Sequence, residues 1–306
     1  MFRKEDILVA IPSYRPSDQV MGLVDALLSE GLRVVIVDDG SGPVSTSLLD
    51  TLQHAGATVI RHPTNLGIAC ALNTALEEAY AQNRAWLYTL DQDSFPETEF
   101  LSKALSFVEH SVPGIRTGVL TPAANNAARI AGRVVGDVHH PYDPIQSGSL
   151  VSVTAAREVG AFRDEFFIDA VDSELTARMR RAGYAVLSVP GTDMRHSLGH
   201  RVDASVAGLS IRRNGAPMTV NQHAPFRVYY MTRNSIVLSS EYVRTNPLWV
   251  SRRFVVEVVA HMMRVALGTN RRAQLTAIIW GVADGVLRRL GPLDERRRNR
   301  LSDLTH

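Results

Sequence analysis

The chain is almost free of cysteine, with Cys70 alone among its 306 residues. A single cysteine forms no internal disulfide and cannot build a cysteine-based zinc site, a usage typical of a reducing compartment. An excess of one charge is also lacking, because 33 Lys and Arg nearly balance 31 Asp and Glu. Without a global basic field, we do not expect nucleic acid as the partner.

Long apolar runs are absent as well. No stretch of about 18 uncharged apolar residues occurs, so the sequence predicts no membrane-spanning helix. Only Met1–Asp6 precede the first predicted strand, Ile7–Ile11, which leaves no room for a signal peptide. We therefore expect a cytoplasmic protein.

The glycine-rich loops with which many α/β proteins bind phosphate are missing too. The segment after the first strand, Pro12–Pro16, contains no glycine, which excludes the Gly-x-Gly-x-x-Gly fingerprint of dinucleotide-binding folds. Gly-Lys followed by Ser or Thr never occurs, which excludes a P-loop. The strand ends carry acids instead, so we expect this sheet to handle phosphate through a metal ion.

What the chain does have is a regular alternation of apolar strands and helices in its first third. This order predicts βαβ units, and therefore a parallel sheet. The predicted strands are Ile7–Ile11, Val34–Val37, Thr58–Arg61 and Trp86–Leu90, and the helices between them cover about 17–30, 45–55 and 67–82.

After Gly118 the pattern loosens, and residues 121–147 are predicted as a loop with short strands. From about Pro225 the chain becomes helical, and we place a domain boundary near residue 240. The predicted domains are therefore 1–240 and a C-terminal helical extension, 241–306. The remaining predicted elements are strands at Leu150–Val153 and Val186–Val189, and helices at Thr154–Val159, Val171–Ala182, 225–240, 248–267 and 272–290.

The most informative stretch is Trp86–Ser94, an apolar strand that ends in two carboxylates one residue apart. Open α/β sheets bind ligands beyond the carboxyl ends of their strands, which is where Asp91 and Asp93 fall. Crowded carboxylates favour a hard cation such as Mg²⁺ or Mn²⁺, held together with substrate phosphates. A solvated turn that caps the following helix is the alternative, and the buried strand in front favours the metal.

Several motifs, in order along residues 7–235, resemble those of family 2 glycosyltransferases with the GT-A fold, and particularly the bacterial rhamnosyltransferase-like group. The resemblance implies an α/β fold with a nucleotide-binding, mostly parallel sheet flanked by helices. It also implies an inverting, metal-dependent transferase. The first loop departs from the family's Thr-Tyr-Asn-Pro, which makes Tyr14 a safer base-pocket residue than Arg15. The motifs are Asp38-Asp39-Gly40-Ser41, Asn65 to Asn73, Asp91-Gln92-Asp93-Ser94, Ser147-Gly148, Phe167 to Glu174, and Arg227 to Asn234.

The resemblance assigns donor binding to the ends of the early strands. Asp39 would accept a hydrogen bond from the ring N3–H of uracil or thymine, although an Asp before glycine also stabilises turns. Asp91 would face the ribose, while Asp93 and His196 would contact a Mg²⁺ or Mn²⁺ ion that polarises the leaving diphosphate. Helix capping explains Asn65 nearly as well as donor contact does. The predicted donor-binding residues are Pro12, Ser13, Tyr14, Asp39, Asn65, Gly67, Asp91 and Gln92.

A second acidic cluster begins the predicted helix Val171–Ala182. Inverting transfer needs a carboxylate that takes the proton from the acceptor hydroxyl, and the resemblance puts Asp172 in that role. Acids also favour helix N-termini because of the helix dipole, which accounts for part of the cluster. Asp169, Glu174 and Arg233 are predicted as further contacts to the acceptor or the diphosphate.

The C-terminal helices combine apolar, aromatic and basic residues, as in Leu248–Leu267 and around Trp280. Such helices can lie in a membrane interface, so peripheral contact at the inner face of the cell membrane is one interpretation. Packing on the catalytic domain or in a homodimer is the other.

The resulting interpretation is transfer of L-rhamnose from dTDP-β-L-rhamnose to a saccharide or lipid-linked saccharide acceptor of a bacterial surface polysaccharide. Alternatives are a UDP-dependent hexosyl- or galactofuranosyltransferase, a nucleotidylyltransferase and a non-catalytic sugar-binding module. A nucleotidylyltransferase would carry a Gly-rich first loop, which Pro12–Pro16 does not supply. A binding module would not need Asp91, Asp93 and Asp172 together.

Overall fold

The computed structural model describes residues 3–196, 200–206, 209–213 and 216–305. The chain forms two compact units: unit 1 is Met1–Phe167 with Val171–Ser197, and unit 2 is Ile168–Ala170 with Leu198–His306. The predicted boundary near residue 240 falls inside a helix, so these units divide the chain differently. The domains 1–240 and 241–306 stay a prediction.

Unit 1 is built on a sheet whose first four strands are parallel, in the order β3-β2-β1-β4. This confirms the parallel arrangement expected from the alternating pattern. All residues of β1 and β4 are buried, as expected of strands covered on both faces. The strands are β1 Ile7–Ser13, β2 Arg33–Asp38, β3 Thr58–Arg61 and β4 Trp86–Thr89.

Beyond β4 the sheet becomes mixed, in the order β4-β10-β6-β11-β5, with β10 antiparallel to both neighbours. The sheet is thus parallel through its first four strands and mixed beyond them, where β6 and β11 again run parallel. Strand β11 also runs seven residues past the predicted end at Val189, with an irregular register between Val189 and Asp193 that accommodates Pro190. The strands are β5 Ser94–Pro96, β6 Thr117–Asn125, β7 Ala128–Arg129, β8 Gly132–Val135, β9 Val138–Pro141, β10 Ser149–Ser152 and β11 Ala185–His196.

Six helices accompany this sheet among the described residues of unit 1. Their bounds match the predicted helices to within three residues where one was predicted. The helices are α1 Gln19–Ser29, α2 Thr46–His54, α3 Ile68–Ala81, α4 Phe100–Ser106, α5 Val153–Glu158 and α6 Val171–Arg181.

Unit 2 contains a two-stranded ladder, His200–Asp203 with Thr219–Gln222, and a set of C-terminal helices. Helix α9 packs on α7 through small residues: a Cβ at Gly281 would lie 2.7 Å from the Cβ of Thr232. In the described part of the chain, no helix is both long and apolar enough to cross a membrane. The helices are α7 Pro225–Tyr242, α8 Pro247–Leu267, α9 Arg271–Val286 and α10 Glu295–Asp303.

Candidate active site

The loops after β1 and β4 are joined by the side chain of Gln92. Its Oε1 accepts hydrogen bonds from the Ser13 hydroxyl at 3.0 Å and from the Tyr14 backbone N–H at 3.1 Å. Pro12 is buried at the end of β1, whereas Tyr14 and Gln92 are half-buried. The structure therefore brings four of the predicted donor-binding residues together at one edge of the sheet.

Asp39 follows β2 and is 4% exposed. Its two carboxylate oxygens accept backbone N–H groups of Leu66 and Gly67, both at 2.8 Å. A ring nitrogen of His62 lies 3.1 Å from Oδ1. Asp39 therefore fixes the loop after β3 to the end of β2, and Oδ2, which has one of these partners where Oδ1 has two, keeps a lone pair for a further donor.

Two glycines let these loops approach each other. Gly40 has φ +73°, and a Cβ there would lie 2.3 Å from the backbone of Thr64. Gly67 has φ +94°, and a Cβ there would lie 2.5 Å from the carbonyl oxygen of Phe167. In the half-buried side chain of Asn65, Oδ1 is buried without a hydrogen-bond partner. A buried unpaired acceptor in this loop is suited to a substrate N–H or O–H.

Asp91 and Asp93 lie in the turn between β4 and β5, and both are half-buried. The Asp91 backbone N–H donates to the Ser147 hydroxyl at 2.9 Å, and the hydroxyls of Ser94 and Ser147 are 2.6 Å apart. The turn is therefore held by the loop that precedes β10. This arrangement fixes the backbone while leaving the two carboxylates beyond the strand end.

The predicted metal contacts are Asp93, which precedes β5, and His196, which ends the neighbouring strand β11. Backbone pairing of β5 with β11 aligns His196 with Ser94, the residue after Asp93. The side chain of His196 lies outside the described part of the structure. Among the described residues, no three or more His, Cys, Asp or Glu could together hold a metal ion. A metal bridged by substrate phosphates needs only one or two protein carboxylates, and the Asp91–Asp93 turn fits that demand.

Asp172 stands in the first turn of α6 and is half-buried. Its Oδ2 accepts the Gln146 backbone N–H at 3.2 Å, and its Oδ1 accepts the Ser173 backbone N–H at 2.7 Å. The amide Nε2 of Gln146 is buried without a hydrogen-bond partner. Two backbone N–H groups thus orient the Asp172 carboxylate. One of them belongs to Gln146, whose side-chain amide donor has no partner.

Gly148 makes this loop possible. Its φ is +83°, and a Cβ there would lie 2.2 Å from the terminal methyl carbon of Met194. Its N–H donates to the Thr89 carbonyl oxygen at 2.7 Å, and the Thr89 hydroxyl donates to that of Gln146 at 2.6 Å. The loop before β10 is therefore tied to the end of β4, which carries the Asp91–Asp93 turn.

Glu174, predicted as a substrate contact, occupies a different environment. It is 2% exposed, and Arg178 donates to both of its oxygens, with Nε at 2.7 and 2.9 Å. The same guanidinium donates to the carbonyl oxygen of Ala161 at 2.6 Å. A carboxylate enclosed in this way cannot reach an acceptor, so we assign Glu174 to holding α6 on the preceding loop.

The segment before α6 has an unusual backbone. Phe167, Asp169 and Ala170 have φ values of +65°, +64° and +61°, which non-glycine residues rarely adopt. In unit 2, the side-chain amide of Asn234 donates to the carbonyl oxygens of Ile168 and Asp169 at 2.9 and 2.8 Å. Strain of this kind is concentrated at functional sites and requires such surrounding contacts to persist.

Asp169 and Arg233, the other predicted substrate contacts, are both engaged within unit 2. Asp169 pairs with Arg227 at 2.6 Å. Arg233 is fully buried, donates to the Gly291 carbonyl oxygen at 2.5 Å, and has its guanidinium carbon 4.8 Å from the ring centre of Tyr230. Enclosed in this way, Arg233 cannot reach a diphosphate, so we assign it to the packing of α7.

A cleft of about 850 Å³ begins two residues after Asp93. Asp91, Asp93 and Asp172 do not line it, so it is adjacent to the predicted chemistry rather than coincident with it. Its polar lining includes Glu97, Arg129, His139, Asp193 and Arg195.

Sequence reasoning missed Gln146 and His62. Gln146 lies at the end of a long loop without periodicity, and no motif separates it from its neighbours. His62 contacts Asp39 and, at 2.9 Å, the Thr74 hydroxyl, a pairing that depends on how β3 and α3 meet. A polar residue next to the Ser147-Gly148 motif was the one available signal for Gln146.

A family model described as "Glycosyl transferase family 2" matches residues 8–121, from β1 into β6. Among curated proteins, the dTDP-rhamnosyl transferase RfbF of Shigella flexneri is 26% identical over 299 residues, covering 92% of this chain and 95% of the relative. The pre-mycofactocin glycosyltransferase of Mycobacterium tuberculosis is 29% identical over 192 residues, covering 58% of this chain and 40% of the relative.

Solved structures with the same fold include GalNAc-T7 with UDP, GalNAc and Mn²⁺, at TM-score 0.54 and 13% identity. That match covers 76% of this chain and 47% of the other. Residues 1–349 of S. aureus TarS in complex with UDP match at TM-score 0.51 and 14% identity, covering 91% of this chain and 88% of the other. At such identities the likeness concerns the fold, which is of the GT-A type.

Proposed function

We propose that this glycosyltransferase, whose residues 8–121 match the family 2 model, transfers L-rhamnose from dTDP-β-L-rhamnose to a saccharide acceptor. The observation that carries this proposal is the similarity to a dTDP-rhamnosyl transferase over nearly the whole length of both chains. The proposed reaction inverts the configuration at the anomeric carbon. The acceptor is a saccharide or lipid-linked saccharide of a bacterial surface polysaccharide.

Asp172 is the proposed general base. It takes the proton of the acceptor hydroxyl while the hydroxyl oxygen bonds to the anomeric carbon, on the face opposite the departing diphosphate. The backbone N–H groups of Gln146 and Ser173 orient the carboxylate for this role. Both N–H groups point at the carboxylate oxygens, so the carboxylate is held in one orientation.

Asp93 and His196 would hold a divalent cation, Mg²⁺ or Mn²⁺, at the turn after β4. When bound, such an ion supplies Lewis-acid stabilisation to the leaving diphosphate. The chain's own contribution is the rigid turn: Ser147 holds the Asp91 backbone, and β11 aligns His196 with Ser94. The ribose would lie against Asp91.

The nucleobase is proposed to bind between Tyr14 and Asp39. The Asp39 carboxylate is already fixed by Leu66 and Gly67, so it would meet the N3–H of thymine or uracil without further ordering. Thymine and uracil present the same N3–H, so this contact alone does not separate dTDP from UDP.

The acceptor is proposed to place its reacting hydroxyl at Asp172 and to extend into the cleft beside β5. Its lining of Glu97, Arg129, Asp193 and Arg195 matches the many hydroxyl groups of a saccharide, which need both donors and acceptors. We place the reaction in the cytoplasm, and at the inner face of the cell membrane where the acceptor is lipid-linked.

Titration calorimetry of the full chain with dTDP and with UDP tests the donor site. Each titration is made with Mg²⁺ or Mn²⁺ and repeated in EDTA. We expect dTDP to bind more tightly than UDP and to lose most of its affinity in EDTA. Asp93→Asn should reproduce the EDTA result in the presence of metal, whereas Glu99→Gln, an exposed carboxylate that follows β5, should not.

The other outcomes separate the parts of the proposal. Tighter binding of UDP would overturn the rhamnosyl donor while leaving a glycosyltransferase. Equal affinity with and without EDTA would contradict the metal, and failure of both nucleotides to bind would contradict the donor site.

A further inference from the structure

Helix α8 places most of its apolar residues outward. Leu248, Val255, Val259 and Met262 recur at intervals of seven, four and three residues, which puts them on one helical face. All four are at least half exposed. In a helix of a water-soluble domain this face would be the one that packs inward.

The inward face of α8 is apolar in its first turn, where Trp249 and Val250 are buried, and polar beyond it. Arg264 is buried and its guanidinium lies 3.0 Å from a ring nitrogen of His261. Arg253 pairs with Glu257 at 3.0 Å, and both side chains are largely covered. Beyond its first turn, this helix therefore has an inverted polarity, with charged side chains inside unit 2 and hydrocarbon outside.

Helix α9 shows the same inversion. Leu275, Ile279, Val282 and Val286 are all exposed, and their spacing places them along one stripe. The buried residues of α9 are small or polar: Ala273, Gln274, Ala277, Gly281, Asp284 and Gly285. Since α8 and α9 contact each other, two neighbouring helices present hydrocarbon to the surroundings.

The charge around these faces is predominantly positive. Residues 244–306 contain 12 arginines, no lysine and 5 acidic residues, although the whole chain has a net charge of only +2. Between residues 247 and 289 the two acids, Glu257 and Asp284, are covered, whereas Arg252, Arg271 and Arg272 are exposed. A second copy of this surface would bring like charges together, whereas an anionic surface would neutralise them.

We propose that the outward faces of α8 and α9 lie in the interface of an anionic lipid bilayer. The apolar stripes would enter the boundary between headgroups and acyl chains, and the exposed arginines would meet lipid phosphates. The proposal follows from these helices alone and does not depend on the identity of the donor or the acceptor.

Vesicle sedimentation with the full chain tests this surface. We expect binding to phosphatidylglycerol vesicles at low salt, weaker binding at high salt, and little binding to phosphatidylcholine. The double variant Val255→Glu with Ile279→Glu should lower the partition coefficient at least about tenfold, because it removes two exposed apolar side chains from the stripes. Val135→Glu, an equally exposed apolar residue of unit 1, should bind like the unmodified chain.

Because Val255 and Ile279 are exposed, the double variant should keep its thermal unfolding midpoint, which circular dichroism checks. Absence of binding to phosphatidylglycerol would overturn the proposal, as would equal binding of the double variant. Light scattering supplies the third test. A dimer that the double variant dissociates, without vesicle binding, would assign the faces to a second copy and overturn the membrane proposal.

Discussion

In unit 1 the buried charged side chains are carboxylates, whereas in unit 2 two of the three are arginines. The comparison covers the described residues, where Asp38, Asp39 and Glu174 are buried in unit 1. In unit 2 the buried charges are Arg233, Arg264 and Asp284. Burial removes each charge from water, so other protein groups must stabilise it. The kind of group that does so differs between the two units.

Backbone N–H groups replace water around the acids at the strand ends of unit 1. Asp38 accepts the N–H of Ser41 at 3.2 Å, and Asp39 accepts those of Leu66 and Gly67. Such donors stabilise an ionised carboxylate without supplying a neutralising cation. Carboxylates held by backbone N–H groups at this edge of the sheet are suited to a cation and to the N–H and O–H groups of a ligand.

Carbonyl oxygens and aromatic rings replace water around the arginines of unit 2. Arg264 donates to the Asn221 carbonyl oxygen at 3.3 Å, and Arg233 lies over the rings of Tyr229 and Tyr230. These partners stabilise the positive charges without neutralising them. The comparison predicts that changing acids of the site in unit 1 impairs chemistry, whereas changing buried cations of unit 2 impairs stability.

The largest effect is expected for Asp172→Asn. The amide cannot accept the acceptor proton, so kcat should fall about a thousandfold or more, while dTDP affinity stays within about twofold. Steady-state kinetics and calorimetry on the same preparation measure the two quantities. Glu165→Gln, an exposed acid just before α6, serves as the control and should change neither. Equal loss of binding and turnover would mean that Asp172 holds the fold.

Arg233→Met should have the second-largest effect, on stability. It leaves the Asn234 side chain and the Gly291 carbonyl oxygen without their donor, which we expect to lower the free energy of unfolding by about 2–4 kcal/mol. Arg227→Met, on the same helix but partly exposed, should cost less than about 1 kcal/mol. Urea unfolding measures both.

The same variant also tests the sequence-based role of Arg233. A contact to the diphosphate would lower dTDP affinity in Arg233→Met and leave the urea midpoint unchanged. That result would contradict the assignment to packing and would move this arginine from the stability side of the comparison to the chemistry side.

The first half of the fold was predictable because buried parallel strands are continuous apolar runs. The runs Ile7–Ile11 and Trp86–Leu90 mark strands that the structure contains. The second half was not, because antiparallel neighbours leave no such signature and β11 continues through Pro190. Local sequence does not encode which distant strand accommodates that irregularity.

The candidate site, too, has residues that could be predicted from the sequence and residues that could not. Acids placed directly after a strand, such as Asp39 and Asp91, could be located from sequence because strand ends share one edge. The burial of Glu174 and Arg233 could not, because it depends on partners that only the folded chain provides. Spacing alone does show that Arg178 follows Glu174 by one helical turn, but it does not reveal that the pair is enclosed.

The smallest expected effect is a pH dependence confined to unit 2. Burial and the nearby Arg264 and His223 lower the pKa of His261 to about 4. Burial with Arg227 and Arg264 lowers the pKa of His223 to about 4 as well, although Asp169 opposes this shift. The Arg264 guanidinium can only donate, so the His261 nitrogen that it contacts must be unprotonated.

Both histidines therefore bind fewer protons in the folded chain than in the unfolded one between pH 4 and about 6.5. The stability that they contribute is present above pH 6.5 and is lost as the pH falls through that range. Between pH 7 and pH 5 we expect the free energy of unfolding to drop by about 1–2 kcal/mol for each histidine. Urea unfolding at the two pH values measures the drop.

His261→Gln sharpens this prediction, because glutamine can keep both hydrogen bonds but cannot take up a proton. The variant should show a smaller drop between pH 7 and pH 5, whereas His110→Gln, an exposed histidine of unit 1, should behave like the unmodified chain. An unchanged drop in His261→Gln would show that His261 is not among the groups that titrate. Acid sensitivity would then have to come from other groups, and the buried arginines of unit 2 would affect stability without making it depend on pH through His261.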